Sequence, residues 1–317
     1  MSYTTPELSF DEISEVATHL PIHRIGELEM LGDIGPLFVE KEIRRRIRVA
    51  VSPYVHPDHF DEFALVLQEC EGAIIGSVVR EVLLENGSVP MPRRPANLNL
   101  VTRLCLEDPM RSFLHGLGYT SVVLDPSERS NESVDLVERF TLDVEHERRI
   151  VIMSVSKSRA IRVVLATPFT AQMNAITHDR IICLHPRATF ANESFVVDGH
   201  NLGAGEADDA RGFNVLGDNA HWTEPCGLQC PATWRKTPDD KGAAMYSWSL
   251  EEAWQSTWDP TRRLPLRAPF TSRSTTVDSG LAFMSAEALT WRARSRCCNM
   301  HCPNMQLFER RVRILLP

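Results

Sequence analysis

No apolar run in the sequence approaches the roughly 18–20 residues that span a bilayer. Met1 to Asp11 has neither the basic segment nor the apolar stretch of a secretory signal. These absences predict an intracellular chain, cytoplasmic or nuclear, without membrane association. Positive charge is also short: 34 Lys+Arg face 42 Asp+Glu, a formal charge of −8, which argues against generic nucleic-acid binding. There is no Gly-x-Ser-x-Gly elbow for a serine hydrolase and no phosphate loop ending in Gly-Lys-Ser/Thr. The 11 histidines include no His-Glu-x-x-His for a catalytic zinc. Gly203-Ala204-Gly205 opens no strand–helix unit, so it does not read as a dinucleotide loop. Internal repeats and low-complexity linkers are missing as well.

What is present is an ordinary globular composition, 43% hydrophobic and 24% charged over 317 residues, enough for one or two cores. The patterning divides into a helical cap (1–55), an α/β region (56–186) and a loop-rich lobe (187–317). In the cap, Ser9 to Glu12 has the form of a capping box, and Ile13, Val16, Ala17 and Leu20 recur at helical spacing until Pro21. A short pattern follows over Ile22 to Leu31, and a longer helix from Pro36 through Arg48. The run Arg44-Arg45-Arg46-Ile47-Arg48 reads as a solvated face near that helix's C-terminus.

The second region predicts helices at Phe60–Glu69, Ser77–Asn86, Pro109–Leu117 and Pro168–His178. It predicts strands at Ala73–Ile75, Leu98–Val101, Thr120–Leu124, Arg139–Val144, Ile150–Val155, Ile161–Leu165 and Arg180–Leu184. Ile74, Ile75, Leu98, Leu100, Val122, Ile152, Val163 and Met173 are the expected core. His56-Pro57-Asp58-His59 reads as a helix start with Asp58 as its cap. The third region holds all six Trp and five of the eight Cys.

The stretch with most chemical content is Ala73-Ile74-Ile75-Gly76-Ser77, then a helix, then Asn97-Leu98-Asn99-Leu100. Strand, Gly-Ser, helix and a strand with alternating polar residues resemble the nucleotidyltransferase fold. The match is closer to a nucleotidyltransferase-like group abundant in mushroom-forming fungi. Arg111-Ser112-Phe113-Leu114 with Leu117-Gly118-Tyr119, Thr170 to Thr177, and Cys226 to Arg235 are also similar to it. The resemblance implies an α/β (α+β) core with a mixed sheet, the Gly-Ser turn facing a triphosphate. It further implies an Asp-x-Asp pair and a third carboxylate holding Mg²⁺ or Mn²⁺.

Here both acidic positions are amides, Asn97 and Asn99. An amide lends an oxygen but no charge, and a hard dication beside a polyphosphate is normally held through carboxylates. The expected third position offers Ser154; Asp143 and Glu145 are possible substitutes. This argues against bound Mg or Mn and predicts a non-catalytic binding or regulatory protein, with Gly76, Ser77, Asn97 and Asn99 lining a nucleotide or anion cleft. The alternative is an active transferase with other carboxylates. Without acids, Gly76-Ser77 also reads as a simple turn with Ser77 as N-cap.

Leu8 to Val49 is loosely similar to an F-box, which implies a ubiquitin-ligase adaptor docking on a protein partner; the same helices also read as a cap on the α/β region. Cys226 and Cys230, with Cys298 and Cys302 (Cys297 and His301 as alternates), fit a structural zinc site or buried thiols. Cys70, Cys105 and Cys183 read as core thiols.

Overall fold

The computed structural model describes residues 10–85, 95–125, 133–144, 147–198, 200, 212–217, 219–224, 226–237, 240–248 and 289–294. The N-terminal helices are α1 (Phe10–His19), α2 (Ile22–Ile25) and α3 (Gly35–Val51), with a 3-10 run over Gly26–Ile34. Ile13 and Ala17 of α1 face Phe38, Ile43 and Ile47 of α3, four to five residues apart on one helical stripe. Gly35 opens α3 where no side chain fits: an added Cβ would lie within 2.1 Å of the Leu28 carbonyl oxygen.

The α/β region runs α4 (Phe60–Glu69), β1 (Ala73–Ile75), α5 (Ser77–Leu84), β2 (Leu98–Arg103), α6 (Asp108–Gly116), β3 (Thr120–Val123), β4 (Leu136–Val144), β5 (Glu147–Ser156), α7 (Ala160–Leu165), β6 (Asn174–Ile176) and β7 (Arg180–Cys183). Beyond it lie α8 (Pro186–Phe190), β8 (Glu193–Phe195), β9 (Asn214–Leu216), β10 (Arg235–Lys236), β11 (Ala244–Ser247) and β12 (Thr290–Trp291). Eight strands form one mixed sheet in the order β11-β7-β6-β1-β2-β5-β4-β3. Every neighbouring pair is antiparallel except β2 and β5. That parallel pair requires a crossover, made by α6 and the β3–β4 strands. Two small two-stranded sheets, β8–β9 and β10–β12, stand apart.

Alternation along each strand gives the sheet two different faces. On the first, Ile74, Leu98, Leu100, Met153 and Ile176 share one core with α1 to α6, including Phe38, Phe63 and Leu114. On the second, Ala73, Val101, Ala175 and Ile182 pack with α7 and Trp291. The chain is therefore mixed α/β with helices on both sides of the sheet. Among the described residues, no helix is long and apolar enough to cross a membrane.

Several sequence expectations need correction. Ile161–Leu165 is the core of α7, not a strand: Val163 and Val164 are buried, but at helical spacing on the second face. The expected helix over Pro168–His178 is a 3-10 turn, Thr170–Gln172, followed by β6. A short apolar run does not distinguish the two periods, and pairing with β1 and β7 decides for strand. Val122 is 59% exposed because β3 is an edge strand, and Ile75 and Ile152 are only half-buried. Cys105 is exposed. The N-cap before Phe60 is not Asp58: His56 caps the 3-10 turn Pro57–His59, accepting from the Asp58 amide.

The basic run is the largest departure. Arg46 is fully buried, not solvated. Its Nε donates to Glu42 (2.6 Å), Nη1 to the Glu85 carbonyl (3.2 Å), and Nη2 to the Ala17 (3.2 Å) and Leu20 (2.5 Å) carbonyls. Helix ends leave carbonyls without partners, and one guanidinium fills those at the ends of α1 and α5. Burial pushes the Glu42 carboxyl up, but hydrogen bonds from Arg45 and Arg46 outweigh it and hold it below the ordinary carboxylate range.

Candidate anion cleft at the Gly76–Ser77 turn

β1 is followed by Gly76, whose backbone (φ 76°, ψ −142°) lies where L side chains are strained. Gly76 itself is the N-cap of α5, so Ser77 is the first helical residue and not the cap; no side chain caps this end. The register Ile75↔Asn99 brings the turn against β2. A Cβ on Gly76 would lie 2.9 Å from Asn99 Nδ2. Asn97 Nδ2 donates to Asn99 Oδ1 at 3.0 Å. Gly76, Ser77, Asn97 and Asn99 are each half-buried, whereas Leu98 and Leu100 between and beyond the amides are fully buried on the opposite face. Period-2 geometry thus places both amides on the second face, toward the turn, as the sequence implied.

Registration across the sheet shows what surrounds the amides. Asn99 pairs with Ile152 of β5, which pairs with Arg139 of β4. Ile152 therefore sits directly beside Asn99, and Ser154, two residues further along the same face, lies beside Val101. Arg139, exposed and about 10 Å from Asn99 at two strand spacings, was missed in the sequence because its relevance depends on register. Asp143 is four residues further along β4, about 13 Å, and lies 3.7 Å from Arg148. Glu145 lies outside the described residues. The cleft therefore presents amides, the backbone N–H groups of a helix start and a guanidinium on its row. Such groups are hydrogen-bond donors, and none of those named here carries a negative charge.

Of the cysteines expected to bind zinc, Cys226 and Cys230 are among the described residues. Cys226 is buried, and Cys230 is disulfide-bonded. Both sit in a small core with Ala188, Phe195, Trp222 and Ala232. A sulfur in a disulfide is not available as a thiolate ligand, so the two uses of Cys230 are exclusive. Cys297, Cys298, His301 and Cys302 lie outside the described residues. Among the described residues, no three His, Cys, Asp or Glu side chains converge as a metal site. Burial pushes the Cys70 thiol up to about 11 and the Cys183 thiol to about 12, which makes both inert.

A second buried polar group surrounds Arg235. Its Nε donates to Asp240 (2.8 Å), its Nη1 approaches His185 Nδ1 (3.5 Å), and its guanidinium stacks on Trp291, 4.6 Å from the ring centroid. Burial, and then the Arg235 charge, holds His185 well below the ordinary histidine range, so it is neutral. This group joins β10 and β12 to the end of β7.

No protein-family model matches the chain, and no curated protein matches it significantly in sequence.

Proposed function

We propose that the chain is a non-catalytic binding or regulatory protein on a degenerate nucleotidyltransferase-like core, taking a nucleotide or another anion in the Gly76–Ser77 cleft without a divalent ion. The observation that carries this reading is the Asn97–Asn99 pair. Its amides bond to each other and pack on Gly76, where the family's acidic pair would hold metal, and the adjoining β5 position is Ile152. The sheet order around β1, β2 and β5, with β1 antiparallel and β5 parallel to β2, is in keeping with such a core.

An active transferase would need carboxylates at this turn, and Asp143 is remote from it. An F-box-type adaptor has less support, because Ile13, Ala17, Phe38, Ile43 and Ile47 are spent in the core shared with the sheet. Met30, Leu31 and Leu37 remain exposed on those helices and offer a surface for a protein partner.

The test is a pair of assays. Purified protein with Mg²⁺ or Mn²⁺ should transfer no nucleotide from any of the four ribonucleoside triphosphates. In Asn97→Asp/Asn99→Asp, two like charges would sit where two amides now touch. That variant should be destabilised in chelator and restored by Mg²⁺, which the native protein should not respond to. Turnover by the native protein that disappears in Asn99→Ala would overturn the reading.

A further inference from the structure

One edge of the main sheet is β3, Thr120–Val123, which is paired on one side by β4. Its register sets Val122 opposite Arg139 and Thr120 opposite Thr141, and its continuation sets Leu124 opposite Val137. Leu124 N–H donates to the Val137 carbonyl at 2.9 Å, so that pair is a hydrogen-bonded one. Bonded and non-bonded pairs alternate along an antiparallel ladder. The main-chain groups of Thr120, Val122 and Leu124 therefore turn toward β4, and those of Ser121 and Val123 turn outward. Among the described residues, no strand lies beyond them.

Proteins usually blunt such an edge with Lys, Pro, a bulge or a charge. β3 carries none of these over Thr120-Ser121-Val122-Val123. Both valines are exposed, Val122 at 59% and Val123 at 56%. The strand is also its own complement. Turned about a two-fold axis through Val122, it sets Ser121 opposite the second copy's Val123, and Val123 opposite the second copy's Ser121. Each of those pairs exchanges two main-chain hydrogen bonds, and Val122 meets its own counterpart in the non-bonded pair between them, where side chains come closest. No charged residue falls within the paired strands, so no like charges are brought directly opposite each other. An uncharged edge that matches itself under a two-fold axis fits a second copy of this chain.

We propose that two copies associate through β3, antiparallel about Val122, and so join their main sheets into one. The contact is a single short strand from each copy, which is below the size of a standard interface, so the association is weak and depends on concentration. Asn99 lies three strand spacings from β3, about 14 Å, and the anion cleft stays open in each copy.

Sedimentation equilibrium of the full chain, from micromolar to millimolar concentration, tests this. The native chain should pass reversibly from monomer to dimer. Val123→Pro removes an outward N–H and no bond to β4, a change that an edge strand tolerates. It should keep a near-native unfolding midpoint and weaken the dimer about tenfold or more. Two hydrogen bonds worth about 1 kcal/mol each are lost, one from each copy, and 1.4 kcal/mol is a factor of ten. Val122→Lys, whose side chain is solvated in the monomer, sets two like charges against each other at the axis and should also weaken the dimer. Cys105 is exposed and is removed in a Cys105→Ser background. There, Val122→Cys should give a covalent dimer on mild oxidation, because Cα atoms of a non-bonded antiparallel pair lie about 4.5 Å apart, within disulfide range. Cys105→Ser alone should give none. A monomer at every concentration, a dimer unmoved by both Val123→Pro and Val122→Lys, or absence of the Val122→Cys cross-link would each overturn the assignment.

Discussion

Replacing Arg46 by Met keeps the aliphatic stem and removes the guanidinium. In the native chain that group is fully buried and makes four hydrogen bonds, to Glu42 and to the carbonyls of Ala17, Leu20 and Glu85. Its loss leaves Glu42, 5% exposed, facing Arg45 alone, and three carbonyls without that donor. Breaking one side of a buried ion pair costs about 3–5 kcal/mol, because the remaining charge stays desolvated. The predicted loss for Arg46→Met is therefore about 3–5 kcal/mol, read as a shift in guanidinium unfolding midpoint at unchanged slope. Glu42→Leu/Arg46→Met removes the stranded charge but not the stranded carbonyls. It should regain part of that loss and remain destabilised by about 1–3 kcal/mol. Hydrogen exchange should rise first in α1, whose C-terminal carbonyls depend on this contact. A shift below about 1 kcal/mol for Arg46→Met, which is the size of an exposed ion pair, with α1 protection unchanged, would refute the buried-network reasoning.

Gly76→Ala should cost about 1–3 kcal/mol of stability, from left-handed strain and the contact with Asn99, and should weaken anion binding; a neutral substitution would mean that the turn is not held as described. Burial keeps both His178 and His185 below the ordinary histidine range. The unfolded chain therefore binds protons that the folded one refuses, and stability should fall as pH drops below about 6.5, by up to about 1.4 kcal/mol per pH unit for each histidine. Denaturation midpoints flat from neutrality to mild acid would contradict this. Thiol titration of unfolded, unreduced protein should count two fewer than the eight cysteines, because Cys230 is disulfide-bonded. Eight thiols accompanied by about one zinc per chain would instead favour the zinc reading.

Legibility in the sequence followed local periodicity. Phe60–Glu69 and Ala73–Ile75 were readable to the residue because each carries a clean period and a nearby breaker. The opposite facing of Asn97 and Asn99 from Leu98 followed from alternation alone. What depended on register was not readable. Ile152 and Arg139 join the cleft only through pairing across three strands, and no spacing along the chain encodes that. Arg46 was misread because a run of arginines looks solvated until α1, 26 residues earlier in the chain at Leu20, folds back onto it. Ile161–Leu165 and the segment before β6 were too short for periodicity to separate helix from strand.

The central claim is that the Gly76–Ser77 cleft receives an anion through neutral donors and needs no metal. Calorimetric titration of ATP into the full chain, once in chelator and once with Mg²⁺, tests it most directly. The account predicts saturable binding in chelator, no tightening by Mg²⁺, and loss of binding in Gly76→Ala and Asn99→Ala. Binding that appears only with Mg²⁺, or that survives both substitutions, would contradict it.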